Sequence, residues 1–372
     1  MRGPGLICRV WLGLMLLANL TIRPAAAVDL AIHNVPLEHI LLDDFQGGAV
    51  PLPDASPEFL KQIKDLIPPL SSPRYVKAAE ATWLKNGDLV LGFIEGDDAR
   101  AYPIRILNFH EIVNETIGGR PVLISYCPLC RSGLVFDRRV NGRVLTFGNT
   151  GGLYESDLVM YDHQTDSFWF QVGGEAIVGS LTGTRLVLLP ALLLPWEEWR
   201  ALYPASLVLS HKTGFARPYD ADPFVGYDEP GTPPGFPVRT SDRRLDPKAK
   251  VLGIEQKGAR RAYSFTGLGD AVVMDTLGGQ PLVIFSKRDG PAGAAFDPRV
   301  KSQPFTFALK GGKFTDAQTG SIWNLAGQAV AGPLAGARLT PLPARSTFWF
   351  AWVAAFPDSS LYASPPIAPA PP

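Results

Sequence analysis

This 372-residue sequence has no excess of positive or negative charge. The 35 Lys and Arg residues balance 35 Asp and Glu residues, and only 19% of the chain is charged. Proteins that bind nucleic acid or an anionic membrane surface usually carry a basic excess. The balance therefore predicts no nucleic-acid partner, and it leaves open a protein partner of unknown identity. The 46% hydrophobic content indicates a globular protein.

A long hydrophobic run is lacking too. The apolar stretch 10–20 is too short to span a bilayer comfortably. Arg2 and Arg9 supply positive charge, and alanines at 25–27 offer a small-residue cleavage site. This pattern predicts a signal peptide over residues 1–27, and hence a periplasmic or secreted protein with no stable membrane span after cleavage. An uncleaved anchor or a misread start is the alternative.

Cysteine is scarce, with three residues in all. Cys8 would leave with the signal peptide, so the mature chain would keep only Cys127 and Cys130. In an oxidising compartment, two thiols separated by two residues form a disulfide, bind a metal or cycle between redox states. Glycine and proline are abundant instead, at 37 and 35 residues, and they predict many turns and few long helices.

The chain also repeats itself, which predicts two diverged copies of one β-rich unit. Groups of residues recur in the same order, at an offset that drifts slowly. The clearest pairs are Val90-Leu91-Gly92 with Val251-Leu252-Gly253, Arg100-Ala101-Tyr102 with Arg261-Ala262-Tyr263, Gly118-Gly119 with Gly278-Gly279, Phe136-Asp137 with Phe296-Asp297, Asp162 and Trp169 with Asp316 and Trp323, and Trp196 and Trp199 with Trp349 and Trp352.

The repeat predicts the fold class and the domain limits. We expect an α+β protein that is predominantly antiparallel β with short helices. The predicted order is a signal peptide at 1–27, an N-terminal extension at 28–78 with a short helix near 57–66, a first unit at 79–211, a loop-rich connector at 212–247, a second unit at 248–362 and a disordered Pro-rich tail at 363–372.

One segment concentrates the chemistry, namely Cys127-Pro128-Leu129-Cys130. In thioredoxin-type proteins the first cysteine of such a motif starts a helix, whose dipole lowers the thiol pKa. Here strand-like residues precede and follow the motif, which predicts a tight turn between two strands. Turns of this kind place two sulfur atoms on one side, as in zinc knuckles. Arg131 would favour thiolate through its charge.

The second unit serves as an internal control for choosing further ligands. His110, Cys127 and Cys130 align with Asp270, Lys287 and Gly290, and His163 aligns with Ala317, although flanking scaffold residues are kept. This correlated loss predicts a shared site made of Cys127, Cys130, His110 and His163. Drift is the alternative explanation. Secondary candidates are Tyr126, Asp137 and Asp157. About six residues around 151–156 are missing from the second unit, and they could form a loop over the site.

Strand pairing supports the inclusion of His110. If Gly118-Gly119 is a two-residue hairpin turn, counting outward places His110 opposite Cys127, with Cβ atoms about 5 Å apart. The alternative is a helix over residues 109–116 that ends at Gly118.

Several motifs resemble a bacterial family known as domain of unknown function 3179. They are Phe109-His110-Glu111-Ile112-Val113-Asn114, Gly119-Arg120-Pro121, Tyr126-Cys127-Pro128-Leu129-Cys130, Phe136-Asp137 and Leu158-Val159-Met160-Tyr161-Asp162. The likeness covers most of residues 65–215. It implies the same exported unit with a CPxC motif, and it carries no activity to transfer.

Three functions remain open. The leading hypothesis is an exported metal-binding protein, because two cysteines with two histidines suit zinc, and soft thiolates with imidazole also suit copper(I). The second is a thiol–disulfide oxidoreductase in which Cys127 attacks, Cys130 resolves and His110 acts as base. The third is a non-catalytic exported module whose cysteines form a disulfide.

Overall fold

The computed structural model describes residues 28–229, 231–288 and 292–363. The predicted signal peptide and all but the first residue of the predicted Pro-rich tail lie outside these residues. Among the described helices, none is long and apolar enough to cross a membrane.

The elements are mostly short strands in antiparallel pairs, so the predicted fold class is confirmed. The helices are α1 (Pro57–Ile63), α2 (Ile104–Leu107), α3 (Trp196–Leu202), α4 (Phe265–Leu268) and α5 (Trp349–Ala355), with single 3-10 turns at Leu37–His39, Leu52–Asp54 and Ala78–Glu80. The strands up to residue 211 are β1 (Ile40–Asp43), β2 (Ala49–Pro51), β3 (Leu70–Ser71), β4 (Tyr75–Lys77), β5 (Leu89–Glu95), β6 (Asp98–Pro103), β7 (Ile112–Ile117), β8 (Arg120–Cys127), β9 (Ser132–Asp137), β10 (Arg139–Val140), β11 (Arg143–Val144), β12 (Phe147–Tyr154), β13 (Asp157–Asp162), β14 (Phe168–Phe170), β15 (Glu175–Val178), β16 (Val187–Leu189), β17 (Ala191–Pro195) and β18 (Leu207–Leu209). The later strands are β19 (Lys250–Gln256), β20 (Ala259–Ser264), β21 (Ala271–Leu277), β22 (Gln280–Lys287), β23 (Ala292–Asp297), β24 (Arg299–Val300), β25 (Gln303–Pro304), β26 (Phe307–Lys310), β27 (Lys313–Asp316), β28 (Ile322–Trp323), β29 (Ala329–Ala331), β30 (Thr340–Leu342), β31 (Ala344–Phe348) and β32 (Ser360–Leu361).

Two-residue glycine turns set the register of the strands that lead to the cysteines. Gly118 and Gly119 both have positive φ, at 54° and 82°, and Ile117 pairs with Arg120 across the turn. Positive φ at both central residues is the requirement of a type I′ hairpin, which glycine meets at little steric cost. The predicted hairpin is therefore confirmed, and strand β7 replaces the alternative helix over 109–116.

The two predicted units share one sheet. Its strand order is β3-β7-β8-β9-β31-β19-β20-β32, and β16 also pairs with β9. The junction is the pairing of β9 with β31, where Ser346 lies opposite Gly133. Because β9 directly follows the cysteine turn, a strand from the second unit lies beside the candidate site.

The N-terminal extension is built into the sheets of the first unit. Strand β1 pairs with β12, β3 with β7, and β4 with β18. The helix predicted near 57–66 is α1, which begins after Ser56, whose hydroxyl accepts a hydrogen bond from the Phe59 N–H at 3.1 Å. Serine as the cap and Pro57 at the first helical position are the residues a helix start favours.

The residues that recur in the sequence make the same contacts in both units. The Trp169 indole donates to the Asp162 carboxylate at 3.0 Å, and Trp323 donates to Asp316 at 3.0 Å. Tryptophans 199 and 352 are fully buried and donate to a serine hydroxyl seven residues later in each unit, as expected for core side chains. The unit boundaries themselves stay a prediction.

A close contact between a glycine and a tryptophan predicts a stability effect. A Cβ atom at Gly92 would lie 1.9 Å from Cζ3 of Trp199. We expect Gly92→Ala to lower the free energy of unfolding by about 1–3 kcal/mol, because overpacking a filled core costs that much. Chemical denaturation measures the change. Gly87→Ala is the control, because nothing lies within 4 Å of a Cβ there. Equal effects of the two substitutions would contradict the packing argument.

Candidate functional site

The cysteine motif forms a turn between two strands, as its flanks predict. Strand β8 ends at Cys127, β9 begins at Ser132, and these two residues pair. Arg131 takes a positive φ of 52°, which lets the chain reverse. Because the motif lies between strands, it lacks the helix start whose dipole activates a cysteine of the thioredoxin type.

The turn brings three potential ligands together in the core. The sulfur atoms of Cys127 and Cys130 and a carboxylate oxygen of Asp157 all lie within 4.8 Å of one another. All three residues are buried. The Sγ of Cys130 lies 2.7 Å from Oδ1 of Asp157 and 3.0 Å from the hydroxyl of Ser132. We call Cys127, Cys130 and Asp157 the cysteine cluster.

Asp157 reaches the cluster because its hairpin is long. It begins β13 after a turn in which Glu155 and Ser156 have φ of 52° and 60°, and its Oδ2 accepts from the Val172 N–H at 2.8 Å. In the second unit the matching hairpin has four-residue strands, β26 and β27, joined at Gly311-Gly312. The additional residues predicted around 151–156 thus lengthen the hairpin that carries Asp157, and they form no separate loop.

A hydrogen-bond network of neutral side chains extends from the Cys130 sulfur. The Ser132 hydroxyl donates to Oε1 of Gln171 at 2.6 Å, and Nε2 of Gln171 donates to the Ser125 hydroxyl at 3.0 Å. All three residues are buried. The network fixes the strand that follows the turn, and it adds no charge to the cluster.

Burial dominates the electrostatics of the cysteine cluster. It raises the pKa of both thiols, and it raises the pKa of Asp157 to about 6. The nearby carboxyl of Glu111 accepts from Nδ2 of Asn149 at 2.7 Å, and burial raises its pKa to about 8. Arg131, whose charge is expected to favour thiolate, pairs with Asp228 at 3.1 Å, and it is not among the main groups that shift the pKa of either thiol. Acidic groups therefore crowd a site with little solvent.

His110 lies close in sequence to β7, but its ring nitrogens are engaged elsewhere. Nδ1 lies 2.8 Å from the Pro68 carbonyl and Nε2 lies 2.6 Å from the Tyr219 hydroxyl. The carbonyl accepts only, so Nδ1 carries the proton and Nε2 accepts from Tyr219. The pairing of β7 with β8 stops at Ile112, because Glu111 has a φ of 55° and turns the chain. The predicted pair of His110 with Cys127 is not formed, and a ligand role would require breaking two hydrogen bonds.

The buried position of His110 predicts a pH dependence. Burial lowers the pKa of His110, and the Arg217 charge lowers it further, against the opposing effect of the Pro68 carbonyl. The unfolded chain then binds more protons than the folded chain, so the free energy of unfolding falls as pH drops below about 6.5. We expect His110→Gln to flatten this fall in urea titrations repeated across pH. His163→Gln, at an exposed histidine, is the control, and an unchanged curve for His110→Gln would refute the assignment.

His163 lies at the surface, away from the cysteine cluster. Its ring stacks on Tyr161 with centroids 5.0 Å apart, and 41% of its side chain is exposed. Nε2 lies 3.9 Å from a carboxylate oxygen of Asp65. The structure therefore brings Cys127 and Cys130 together with Asp157, and it places both predicted histidines outside that group.

The chain matches the family described as "Protein of unknown function (DUF3179)" over residues 64–359. It belongs to this family. The match runs through the second unit, well beyond the part of the chain whose motifs carry the resemblance. No curated protein and no solved structure matches the chain.

In this DUF3179 protein, the connector covers the cysteine turn. The Tyr227 hydroxyl donates to the Leu129 carbonyl at 2.9 Å, and Asp228 forms the ion pair with Arg131. The amino group of Lys248 lies 3.2 Å from the centre of the Tyr227 ring and donates to the Tyr227 carbonyl at 2.7 Å. The connector is loop-rich, as predicted, and these contacts fix it over residues 129–131.

Residues of the second unit also form hydrogen bonds with the cysteine turn. The Phe348 N–H and the Thr347 hydroxyl both donate to the Cys130 carbonyl, at 2.9 and 3.0 Å. Arg345 is buried, and its Nε donates to the Val172 carbonyl at 2.8 Å. Val172 in turn donates its N–H to Asp157, so Arg345 fixes the backbone that orients the Asp157 carboxylate. Sequence reasoning missed Arg345, because nothing in the sequence marks which arginine crosses between units.

Proposed function

We propose that this chain is an exported metal-binding protein that holds zinc through Cys127, Cys130 and Asp157. The observation that carries the proposal is the convergence of two sulfur atoms and a carboxylate oxygen within 4.8 Å in the core. Zinc accepts cysteine sulfur at about 2.3 Å and carboxylate oxygen at about 2.0–2.2 Å. Small side-chain movements bring all three donor atoms to those distances from one ion.

The chemistry of the ligands favours a cation at this position. Two thiols and a carboxylic acid can become three anions, and burying such anions without compensation is costly. A divalent cation removes that cost and deprotonates the thiols. The carboxylate favours zinc over copper(I), because copper(I) selects soft ligands and zinc accepts both sulfur and oxygen. Three protein ligands would leave a fourth position for water or another small ligand.

Metal analysis tests the proposal. We expect the chain comprising residues 28–372 to bind one equivalent of zinc, and cobalt(II) in its place to give thiolate charge-transfer bands in the near ultraviolet. Cys127→Ser and Cys130→Ser should each remove most of the band intensity, and Asp157→Asn should weaken affinity by about tenfold or more. His110→Gln and His163→Gln are the controls, and they should leave both readouts unchanged.

The same experiment distinguishes this proposal from the ligand set predicted from sequence, in which His110 and His163 bind the metal with the two cysteines. Loss of cobalt binding in either histidine variant, with full binding in Asp157→Asn, would favour a site of two cysteines and two histidines. Protein that binds neither zinc, copper nor cobalt with both thiols reduced would refute metal binding altogether. Amino-terminal sequencing of the chain after expression in a bacterial host tests export, which predicts cleavage near residue 27 and recovery outside the cytoplasm.

One observation favours thiol–disulfide exchange as a second candidate function. Oδ1 of Asp157 lies 2.7 Å from the Cys130 sulfur, so it can accept the proton of that thiol. The raised pKa of Cys127 and its burial weaken this alternative, because the attacking sulfur has to be an accessible thiolate. Rapid alkylation of one thiol at neutral pH, together with a measurable reduction potential, would favour exchange over metal binding.

A further inference from the structure

A cavity of about 250 Å³ lies between the two units, away from the cysteine cluster. One wall is formed by β5 and β17 of the first unit, and the other by β23 and β30 of the second unit. The lining is mainly apolar, and it includes Phe93, Ile94, Leu192, Ala294, Phe296 and Leu339. Such a lining excludes ordered water and favours the apolar part of a ligand.

Two hydrogen-bond donors line the same cavity. The guanidinium of Arg338 is exposed and has no acidic partner within 4 Å among the described residues. Tyr203 also lines the cavity, and the one hydrogen bond that its hydroxyl makes with the described residues is accepted from Nε2 of Gln328 at 3.5 Å. Its own proton is therefore free to be donated. Arg120 differs from Arg338, because it is held by Glu95 at 2.9 Å and Asp137 at 3.2 Å.

Gln328 connects Tyr203 to Arg338, because its Nε2 donates to the Tyr203 hydroxyl at 3.5 Å and its backbone forms an isolated β-bridge with Arg338. Burial raises the pKa of the Tyr203 hydroxyl, and the charge of Arg338 acts against that rise. The Arg338 guanidinium and the Tyr203 hydroxyl can both donate hydrogen bonds, and the positive charge of Arg338 favours an anionic acceptor. A planar guanidinium with an adjacent O–H donor suits a carboxylate in particular.

We propose that this inter-unit cavity binds a small amphipathic monocarboxylate, with its apolar chain in the cavity and its carboxylate on Arg338 and Tyr203. The volume is slightly below the range of about 300–1,000 Å³ typical of small-molecule sites, so it suits a ligand of roughly ten non-hydrogen atoms. Straight-chain carboxylates of this size combine an apolar body with a single anionic group. The site is independent of metal binding at the cysteine cluster.

Calorimetric titration with octanoate tests the proposal, with octan-1-ol as the neutral probe of equal chain length. We expect saturable binding of one octanoate, and binding of octan-1-ol that is weaker by about tenfold or more, because a hydrogen bond to a charged group is worth about that factor. Arg338→Gln should reduce the affinity for octanoate to near that for octan-1-ol. Arg143→Gln is the matched control, because Arg143 is exposed but does not line the cavity.

A second variant tests the location without touching the charged group. Ala326 lines the cavity from the turn between β28 and β29. Ala326→Phe would therefore fill the cavity with an aromatic ring without altering a strand. We expect it to abolish octanoate binding while circular dichroism and the thermal unfolding midpoint stay close to those of the parent chain. No octanoate binding by the parent chain, equal affinity for the acid and the alcohol, or unchanged binding in Arg338→Gln would each overturn the proposal.

Discussion

Arg345→Met is expected to lower the free energy of unfolding by about 2–5 kcal/mol, because the carbonyls of Val172 and Gly173 would lose their donor and each unsatisfied buried carbonyl costs about 1–3 kcal/mol. Arg345 is 5% exposed, and its Nε donates to the Val172 carbonyl at 2.8 Å. Nη1 lies 4.0 Å from a carboxylate oxygen of Glu255, and the guanidinium lies 4.9 Å from the centre of the Phe356 ring. Methionine fills much of the same space but leaves the Val172 carbonyl without its donor, and an unsatisfied buried carbonyl is itself costly.

The same substitution should weaken metal binding, although Arg345 contacts none of the three proposed ligands. The Val172 N–H donates to Oδ2 of Asp157. If the Val172 peptide loses its anchor on the carbonyl side, the carboxylate loses part of its orientation. Loss of a group that orients a ligand typically reduces metal affinity by about 10–100-fold. Urea denaturation measures the stability, and cobalt titration at a temperature where both chains are folded measures the affinity.

Arg260→Met is the matched control for this prediction. Arg260 also pairs with Glu255, at 3.0 Å, and its guanidinium also lies over the Phe356 ring, at 5.0 Å. It differs in being partly exposed, and its contacts do not extend to Val172. An exposed ion pair contributes about 0–1 kcal/mol, so Arg260→Met should change stability little and cobalt affinity not at all. Equal loss of affinity in both variants would show that Glu255 or Phe356 carries the effect.

Local features of the candidate site could be predicted from sequence. The turn at Cys127–Cys130 follows from the strand-like residues on both sides, and the hairpin at Gly118-Gly119 follows from the positive φ that glycine allows. The same counting placed His110 opposite Cys127. This placement is wrong because Glu111 adopts positive φ and the ladder ends at Ile112, two residues before His110, and a glutamate gives no sequence signal for that conformation.

The remaining features depend on contacts that are distant in the chain. Asp157 was a secondary candidate, and only the length of its hairpin brings it to the cysteine turn. Arg345 lies 173 residues from Val172. Its role follows from the pairing of β31 with β9, which no local sequence pattern indicates. Cysteines and histidines that differ between the two units are visible when the units are aligned. A residue of the second unit that stabilises the site in the first unit, such as Arg345, leaves no such signal.

Arg138→Leu is the second substitution with a large expected effect. Arg138 is 8% exposed, and it donates to three backbone carbonyls, namely those of Val122 at 3.0 Å, Glu115 at 2.9 Å and Leu145 at 2.5 Å. These carbonyls belong to β8, to β7 and to the segment before β12, so one side chain joins the hairpin that ends at Cys127 to the chain that leads to Asp157. Burial lowers the pKa of Arg138, which shows the cost of placing its charge there.

Leucine at position 138 would leave the Leu145 carbonyl without a donor. The Glu115 and Val122 carbonyls would each lose their bond from the guanidinium but keep their partner in the ladder of β7 and β8, where these two residues pair. One unsatisfied buried acceptor costs about 1–3 kcal/mol, and each further hydrogen bond lost from a charged donor costs about 1.5–3 kcal/mol. Part of this loss is offset because the guanidinium no longer has to be desolvated, so we expect the free energy of unfolding to fall by about 3 kcal/mol. Arg139→Leu is the control next in sequence, because the Arg139 side chain is 55% exposed and its partner Asp137 keeps a second cation, Arg120, at 3.2 Å. That change should cost about 1 kcal/mol or less. Chemical denaturation of both variants measures the two changes in the free energy of unfolding. If the two midpoints coincide, the Leu145 carbonyl is satisfied by water when the guanidinium is gone, and Arg138 does not hold the two hairpins together.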